Sequence, residues 1–246
     1  MKRFTTALIW LALSIGLLNA QNIYVLSTGV SNYQNQDINL RQTTKDAKAF
    51  KAVMDKQTKN VSILTSKNAS HDNIMDKLRT ICNRATSQDM VVFYFSGHGF
   101  SGGIVPYDKP LFYRELIQLF SASAAKLKVV YIDACHAGSV VQQKEDGSYE
   151  LAKDVAKGNN TVFITACRSD EISAENSWAG NGFFTQSLLK GLRGKADANN
   201  DKEVTVMELF TYVYKDVLHS TQNNVHPQHP QLIGPKSCHE MVLMKW

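Results

Sequence analysis

Met90-Val91-Val92-Phe93-Tyr94-Phe95-Ser96-Gly97-His98-Gly99 runs from six apolar side chains directly into a glycine-flanked histidine. Six consecutive apolar residues without polar alternation predict a strand buried on both faces. Lys128-Val129-Val130-Tyr131-Ile132 and Thr161-Val162-Phe163-Ile164 have the same character, and Ile23–Leu26 and Val61–Leu64 read as two more strands. Between them lie helical patterns. Thr43–Lys56 sets Ala47, Phe50, Val53 and Met54 at three-and-four spacing, and Ser70–Ala85 does so with Ile74, Leu78 and Ile81. Leu111–Phe120, Phe184–Leu192 and Val206–Leu218 read as further helices. Apolar strands alternating with helix-length segments predict an α/β fold with a mostly parallel central sheet covered on both faces. Ligands of such sheets sit beyond the carboxyl ends of the strands, so the chemistry is expected just after each apolar run.

The 246-residue chain is 43% hydrophobic and 20% charged, which supports a buried core and excludes disorder as its main state. Fourteen glycines and five prolines are too few for a collagen-like or linker protein. Met1-Lys2-Arg3, the apolar Ala7–Leu18 and Asn19-Ala20 have the layout of a secretory signal peptide. Residues 1–20 are therefore expected to be a leader and residues 21–246 one domain, secreted or periplasmic. The alternative is an N-terminal membrane anchor, and Leu18 fits the usual small-residue cleavage pattern poorly. Loss of Lys2 and Arg3 lowers the formal charge from +5 to +3, and no basic run suggests nucleic-acid binding. No stable membrane span is expected once the leader is removed.

Cys82, Cys135, Cys167 and Cys238 fit either two disulfides or one reactive thiol with three bystanders. Their surroundings separate them. Cys135 stands in Asp133-Ala134-Cys135-His136-Ala137-Gly138, directly after an apolar run, just as His98 does. If both strands are central and parallel, His98 and Cys135 leave the same sheet edge. A thiolate held by an imidazolium can attack a carbonyl, and the imidazolium can protonate the departing amine. Backbone N–H groups at Gly99 and Cys135 are the candidate donors to the oxyanion.

These two segments, Tyr94-Phe95-Ser96-Gly97-His98-Gly99 and Tyr131-Ile132-Asp133-Ala134-Cys135-His136-Ala137-Gly138, resemble the histidine and cysteine motifs of caspase-like cysteine peptidases. The match is closer to the metacaspase and bacterial caspase-like branch than to animal caspases, which carry Gln where Asp133 stands. The resemblance extends from about Ile23 to Leu232 and includes Leu40-Arg41-Gln42-Thr43-Thr44-Lys45-Asp46-Ala47, Gly182-Phe183-Phe184-Thr185 and Gln228-His229-Pro230-Gln231. It implies a caspase-like α/β/α sandwich and a protease acting on protein or peptide substrates. It also implies that Asp46, Ser96 and Asp133 line the primary specificity pocket. Two carboxylates there favour a long cation, so cleavage is expected after Arg or Lys rather than Asp. Lys45 replaces the family's usual Asn, and Arg41, if it turned into the pocket, would shift preference toward acidic residues. Asp46 also has a plain structural reading as a first-turn helix charge. In this family the region corresponding to Val140–Asn160 is often cut during self-activation, and Lys144, Lys153 and Lys157 are candidate sites; a plain surface loop is the alternative.

Asp197-Ala198-Asn199-Asn200-Asp201-Lys202-Glu203-Val204-Thr205-Val206-Met207-Glu208 follows the EF-hand template between two helical patterns. Asp197, Asn199, Asp201, Glu203, Thr205 and Glu208 are the candidate calcium ligands. Lys202 occupies the position where Gly normally makes the turn, and a polar loop with a helix cap is the competing reading. His226 and His229 have metal-ligand spacing but lie in a proline-interrupted loop, so they are set aside. The chemistry outlined requires no cofactor; calcium is the one candidate. Besides the peptidase, a non-catalytic caspase-fold module binding a protein partner or calcium and a disulfide-stabilised binding domain remain open.

Overall fold

The computed structural model describes residues 21–100, 102–134, 159–166, 182–224 and 227–246. Five parallel strands form the centre: β1 (Ile23–Gly29), β2 (Val61–Thr65), β3 (Met90–Ser96), β7 (Leu127–Asp133) and β8 (Thr161–Thr165). With the antiparallel edge strand β10 (Gln231–Ile233) they stand in the order β10-β8-β7-β3-β1-β2. Every residue of β3 and of β7 is buried, Lys128 and Asp133 of β7 among them.

Alternate residues of each strand feed two separate cores. Val91, Phe93 and Phe95 pack with helices α2 (His71–Arg84) and α3 (Tyr113–Ser121) on one face. Met90, Val92 and Tyr94 pack on the other with α1 (Thr43–Met54), α4 (Phe183–Lys190) and α5 (Val206–Thr221). The result is the three-layer α/β/α sandwich that the resemblance implies. Helix starts follow local chemistry. Ser70 Oγ accepts the Asn73 amide at 3.3 Å to open α2, and Thr205 and Glu208 form a reciprocal capping box at α5.

One expected helix begins later than its pattern suggests. Leu111-Phe112 forms strand β6, which pairs with β5 (Gly103–Val105), itself paired with β4 (His98–Phe100). The Phe112 amide donates to Glu115 Oε2 at 2.9 Å, so the side chain that opens α3 also fixes the end of β6. This three-stranded antiparallel sheet lies immediately beyond β3 and carries His98. A second small sheet pairs β9 (Glu203–Thr205) with β11 (Val242–Lys245).

Cys82 and Cys238 are free, buried thiols, and they belong to different core layers. Cys135 and Cys167 lie outside the described residues. Among the described residues no helix is long and apolar enough to cross a membrane.

Candidate active site

At the carboxyl edge of the sheet, Gly29, Ser96 and Asp133 are in register across β1, β3 and β7. The Gly97 amide donates to the Asp133 carbonyl at 3.2 Å, so the two chains are still tied together as they leave the sheet. His98 and Cys135 each lie two residues past this register pair. Cys135 itself is outside the described residues; the description ends on that strand at the buried Ala134.

His98 is held from two sides. Its amide donates to Tyr33 Oη at 2.7 Å, and the two rings sit 5.0 Å apart. Its Nε2 lies 2.7 Å from the Ile38 carbonyl oxygen. A carbonyl only accepts, so Nε2 carries the hydrogen, and in the neutral ring Nδ1 is left with the lone pair. That tautomer is the one a general base needs when its outer nitrogen is anchored. Glycine is required at position 97: a Cβ there would stand 2.7 Å from Phe95 Cζ and 2.8 Å from Tyr33 Oη. The loop bearing Ile38 is tied to itself by Tyr33 N donating to Asn39 Oδ1 at 2.8 Å and Leu40 N to the Ser31 carbonyl at 2.8 Å. Gly99, the candidate oxyanion donor, follows in β4 and is half-buried.

The three pocket candidates come together from separate parts of the chain. Asp46, Ser96 and Asp133 are 2%, 1% and 7% exposed. Ser96 Oγ donates to Asp46 Oδ2 at 2.9 Å, and Gly182 N donates to Asp46 Oδ1 at 3.3 Å. Thr185 donates to Asp133 Oδ2 twice, from Oγ1 at 2.7 Å and from its amide at 3.3 Å. Because the Thr185 hydroxyl is spent on Asp133, Tyr94 Oη, 2.5 Å away, donates to Thr185 Oγ1. Burial, then the nearby Asp46 and Asp133 carboxylates, push the Tyr94 phenol well above its ordinary range, so it stays a neutral donor. The amino end of α4 therefore reaches both carboxylates, where its partial positive charge is favourable. Gly182 fits between them because a Cβ would lie 2.7 Å from Asp133 Oδ2. The Asp46 carboxylate accepts from β3 and from the residue that opens α4. Arg41 and Lys45 are exposed.

Ile38 and Tyr33 had no signal as site residues, and Tyr94 and Thr185 lie in family-like segments without a role of their own. Ile38 acts through its backbone carbonyl, and the others make long-range contacts that only the assembled fold creates.

The EF-hand-like segment forms a compact loop. Lys202 adopts φ +67°, the left-handed turn the template requires at that position. The side chains mostly serve the loop itself. Asp197 accepts the Asp201 and Lys202 amides at 3.2 and 3.1 Å, Asn199 accepts the Asp201 amide at 2.9 Å, and Asp201 accepts the Glu203 amide at 2.8 Å. Glu203 pairs with Lys245, and Glu208 accepts from both the amide and the hydroxyl of Thr205. Among the described residues no group of three or more His, Cys, Asp or Glu side chains is placed to hold a metal ion. His226 and nearly all of Val140–Asn160 lie outside the described residues.

Comparison with solved structures shows a similar fold at low identity. A Geobacter sulfurreducens protein aligns with a TM-score of 0.68 and 16% identity, covering 89% of this chain and 96% of that one. Caspase-1 from Spodoptera frugiperda aligns with a TM-score of 0.67 and 15% identity, covering 88% and 89%. At such identities the likeness speaks for the fold alone. A comparison with curated protein sequences finds no match. The family model for the caspase domain, in contrast, matches residues 24–238, which takes in the sheet, the anchored histidine and the cysteine motif; the chain belongs to the caspase domain family.

Proposed function

We propose that the protein is an exported cysteine endopeptidase that cuts after Arg or Lys with a Cys135–His98 dyad, its leader being residues 1–20. One observation carries this reading. His98 is anchored through Nε2 to the Ile38 carbonyl at the sheet edge, two residues beyond the register pair Ser96–Asp133, where the sequence puts Cys135 at the matching position.

In the proposed reaction His98 Nδ1 takes the Cys135 thiol proton, and the thiolate attacks the scissile carbonyl. The carbonyl electron pair moves to oxygen, where the Gly99 and Cys135 amides receive it. Collapse breaks the C–N bond as His98 Nδ1–H protonates the leaving amine, and a thioester remains on Cys135. Water then attacks the thioester with His98 as base, releasing the carboxylic acid and the thiol. Asp46 of α1 and Asp133 of β7, with Ser96 of β3, are the proposed seat of the basic side chain preceding the cut.

The test is hydrolysis of peptides carrying Arg, Lys or Asp before the scissile bond, by the mature chain and by Cys135→Ala and His98→Ala. Turnover of the Arg and Lys peptides, lowered at least about a thousandfold by either substitution, is expected. Turnover of the Asp peptide alone would overturn the cation pocket. Absence of turnover with every peptide would leave a non-catalytic module as the account.

A further inference from the structure

The small sheet that carries His98 has two unlike faces. Side chains alternate along a strand, and directly paired residues share a face. Ile104 and Leu111 point into the core and are fully buried. The opposite face carries His98, Phe100, Val105 and Phe112, because His98 pairs with Val105 and Phe100 shares a row with Gly103 and Phe112. Phe112 is 39% exposed. The Phe100 and Phe112 rings meet edge to face at 5.5 Å across Gly103, where a Cβ would lie 2.6 Å from Phe100 Cζ. The Arg114 guanidinium lies 5.0 Å from the Phe112 ring centre. Ile38, whose carbonyl anchors the His98 ring, is 38% exposed. Among the described residues only three large apolar side chains are this exposed: Ile38, Phe112 and Trp246. Ile38 meets His98 directly, and Phe112 lies on the His98 face of the small sheet, one row along.

Position in the reaction decides what this face meets. The group that protonates the departing amine must stand beside that nitrogen, so the residues following the scissile bond lie on the His98 side. We propose that the face formed by Phe100 and Phe112, with Ile38 beside it, is the subsite for the leaving segment of the substrate, and that it selects an apolar side chain in the first two positions after the cut. The occupant is a polypeptide segment, because the face belongs to the same small sheet as the histidine that would release it. This inference rests on the peptidase reading and deepens it: basic before the bond, apolar after it.

The experiment uses internally quenched peptides with Arg fixed before the bond and Leu, Phe or Ser in the two positions after it. A parallel assay follows hydrolysis of an Arg methyl ester, whose leaving group carries no side chain. The mature chain is expected to cleave the Leu and Phe peptides about tenfold faster in kcat/KM than the Ser peptide. Phe112→Ser should reduce that ratio below about twofold, Phe112→Leu should keep most of it, and Trp246→Ser, at the exposed aromatic away from His98, should keep all of it. Equal cleavage of the Leu and Ser peptides, or an unchanged ratio in Phe112→Ser, overturns the subsite while ester and peptide hydrolysis still uphold the peptidase. Failure to hydrolyse the ester and every peptide overturns both.

Discussion

The two ends of strands β3 and β7 both bury ionisable groups, and they treat them differently. At the amino end, Asp89 takes four donors: Thr86, three residues before it, and Asn22, 67 residues before it, each donate to it twice, at 2.8–3.0 Å. Burial works to raise the Asp89 carboxyl, but those four bonds outweigh it and hold the group below its ordinary value. On β7, opposite Val91, Lys128 is 3% exposed, and its ammonium donates to the Ala125 carbonyl at 3.2 Å. Burial pushes Lys128 down and the Cys82 thiol up to about 11, so this end drives both groups toward neutrality. At the carboxyl end, Asp46 and Asp133 take donors from β3 and from α4, 50 to 136 residues away in sequence. One end gives its single carboxylate four donors and drives its lysine and thiol toward neutrality; the other gathers two like charges around the start of one helix. A pair of buried like charges has no folding advantage over an apolar plug, and that is the argument for the proposed pocket.

The largest expected effect tests that contrast at Asp133. Replacing it by Asn keeps the shape and leaves an oxygen for Thr185, but removes half of the pocket's charge. KM for Arg and Lys peptides should rise about a hundredfold with kcat changed far less, the scale of one charge-assisted contact. An unchanged KM with a lowered melting temperature would make Asp133 a cap for α4 and dissolve the contrast. The register itself was readable in the sequence. Asp133 and Ser96 each stand two residues before a candidate catalytic residue, and an unbroken apolar run leads to each. The donors were not readable: Thr185 lies 52 residues from Asp133, and nothing local in Gly182-Phe183-Phe184-Thr185 marks its hydroxyl as a partner. Nor was β4–β6, whose strands are two or three residues long and whose Leu111-Phe112 continues the helical pattern of α3 without a break. The Ile38 carbonyl is a backbone group and leaves no mark on side-chain chemistry. Lys202 shows the converse, since the template demanded a left-handed residue there and the chain adopts it without glycine.

A smaller effect is expected at the amino end, and it is a pH effect. The Cys82 thiol is raised in the folded chain from 9.0 to about 11 by burial, with Ser123 and Lys128 opposing. A raised folded value means its contribution is fully present below pH 9 and is lost as the pH climbs through 11, because the unfolded thiol ionises first. Relative to Cys82→Ala, the native chain should therefore lose about 2–3 kcal/mol of stability between pH 8.5 and 11. Denaturant melts of both proteins at matched pH measure this directly. A constant difference across that range would mean that the thiol is reached by water.

The smallest effect is expected at Lys128, and its sign is the sharper test. A buried ammonium with a carbonyl acceptor recovers only part of its lost hydration, so an apolar side chain of similar length should serve as well. Lys128→Met is expected to change stability at pH 7 by less than about 1 kcal/mol, in the stabilising direction. The folded value of Lys128 is lowered, so the native chain gains stability as the pH rises toward 10.5, where the unfolded lysine also becomes neutral. The advantage of Met should therefore shrink on going from pH 7 to pH 10.5. Measuring it in a Cys82→Ala background removes the thiol titration from the comparison. A Met variant that is strongly destabilised at pH 7 would show that the ammonium is wanted as a charge, and the amino end would then resemble the carboxyl end more than its burial suggests.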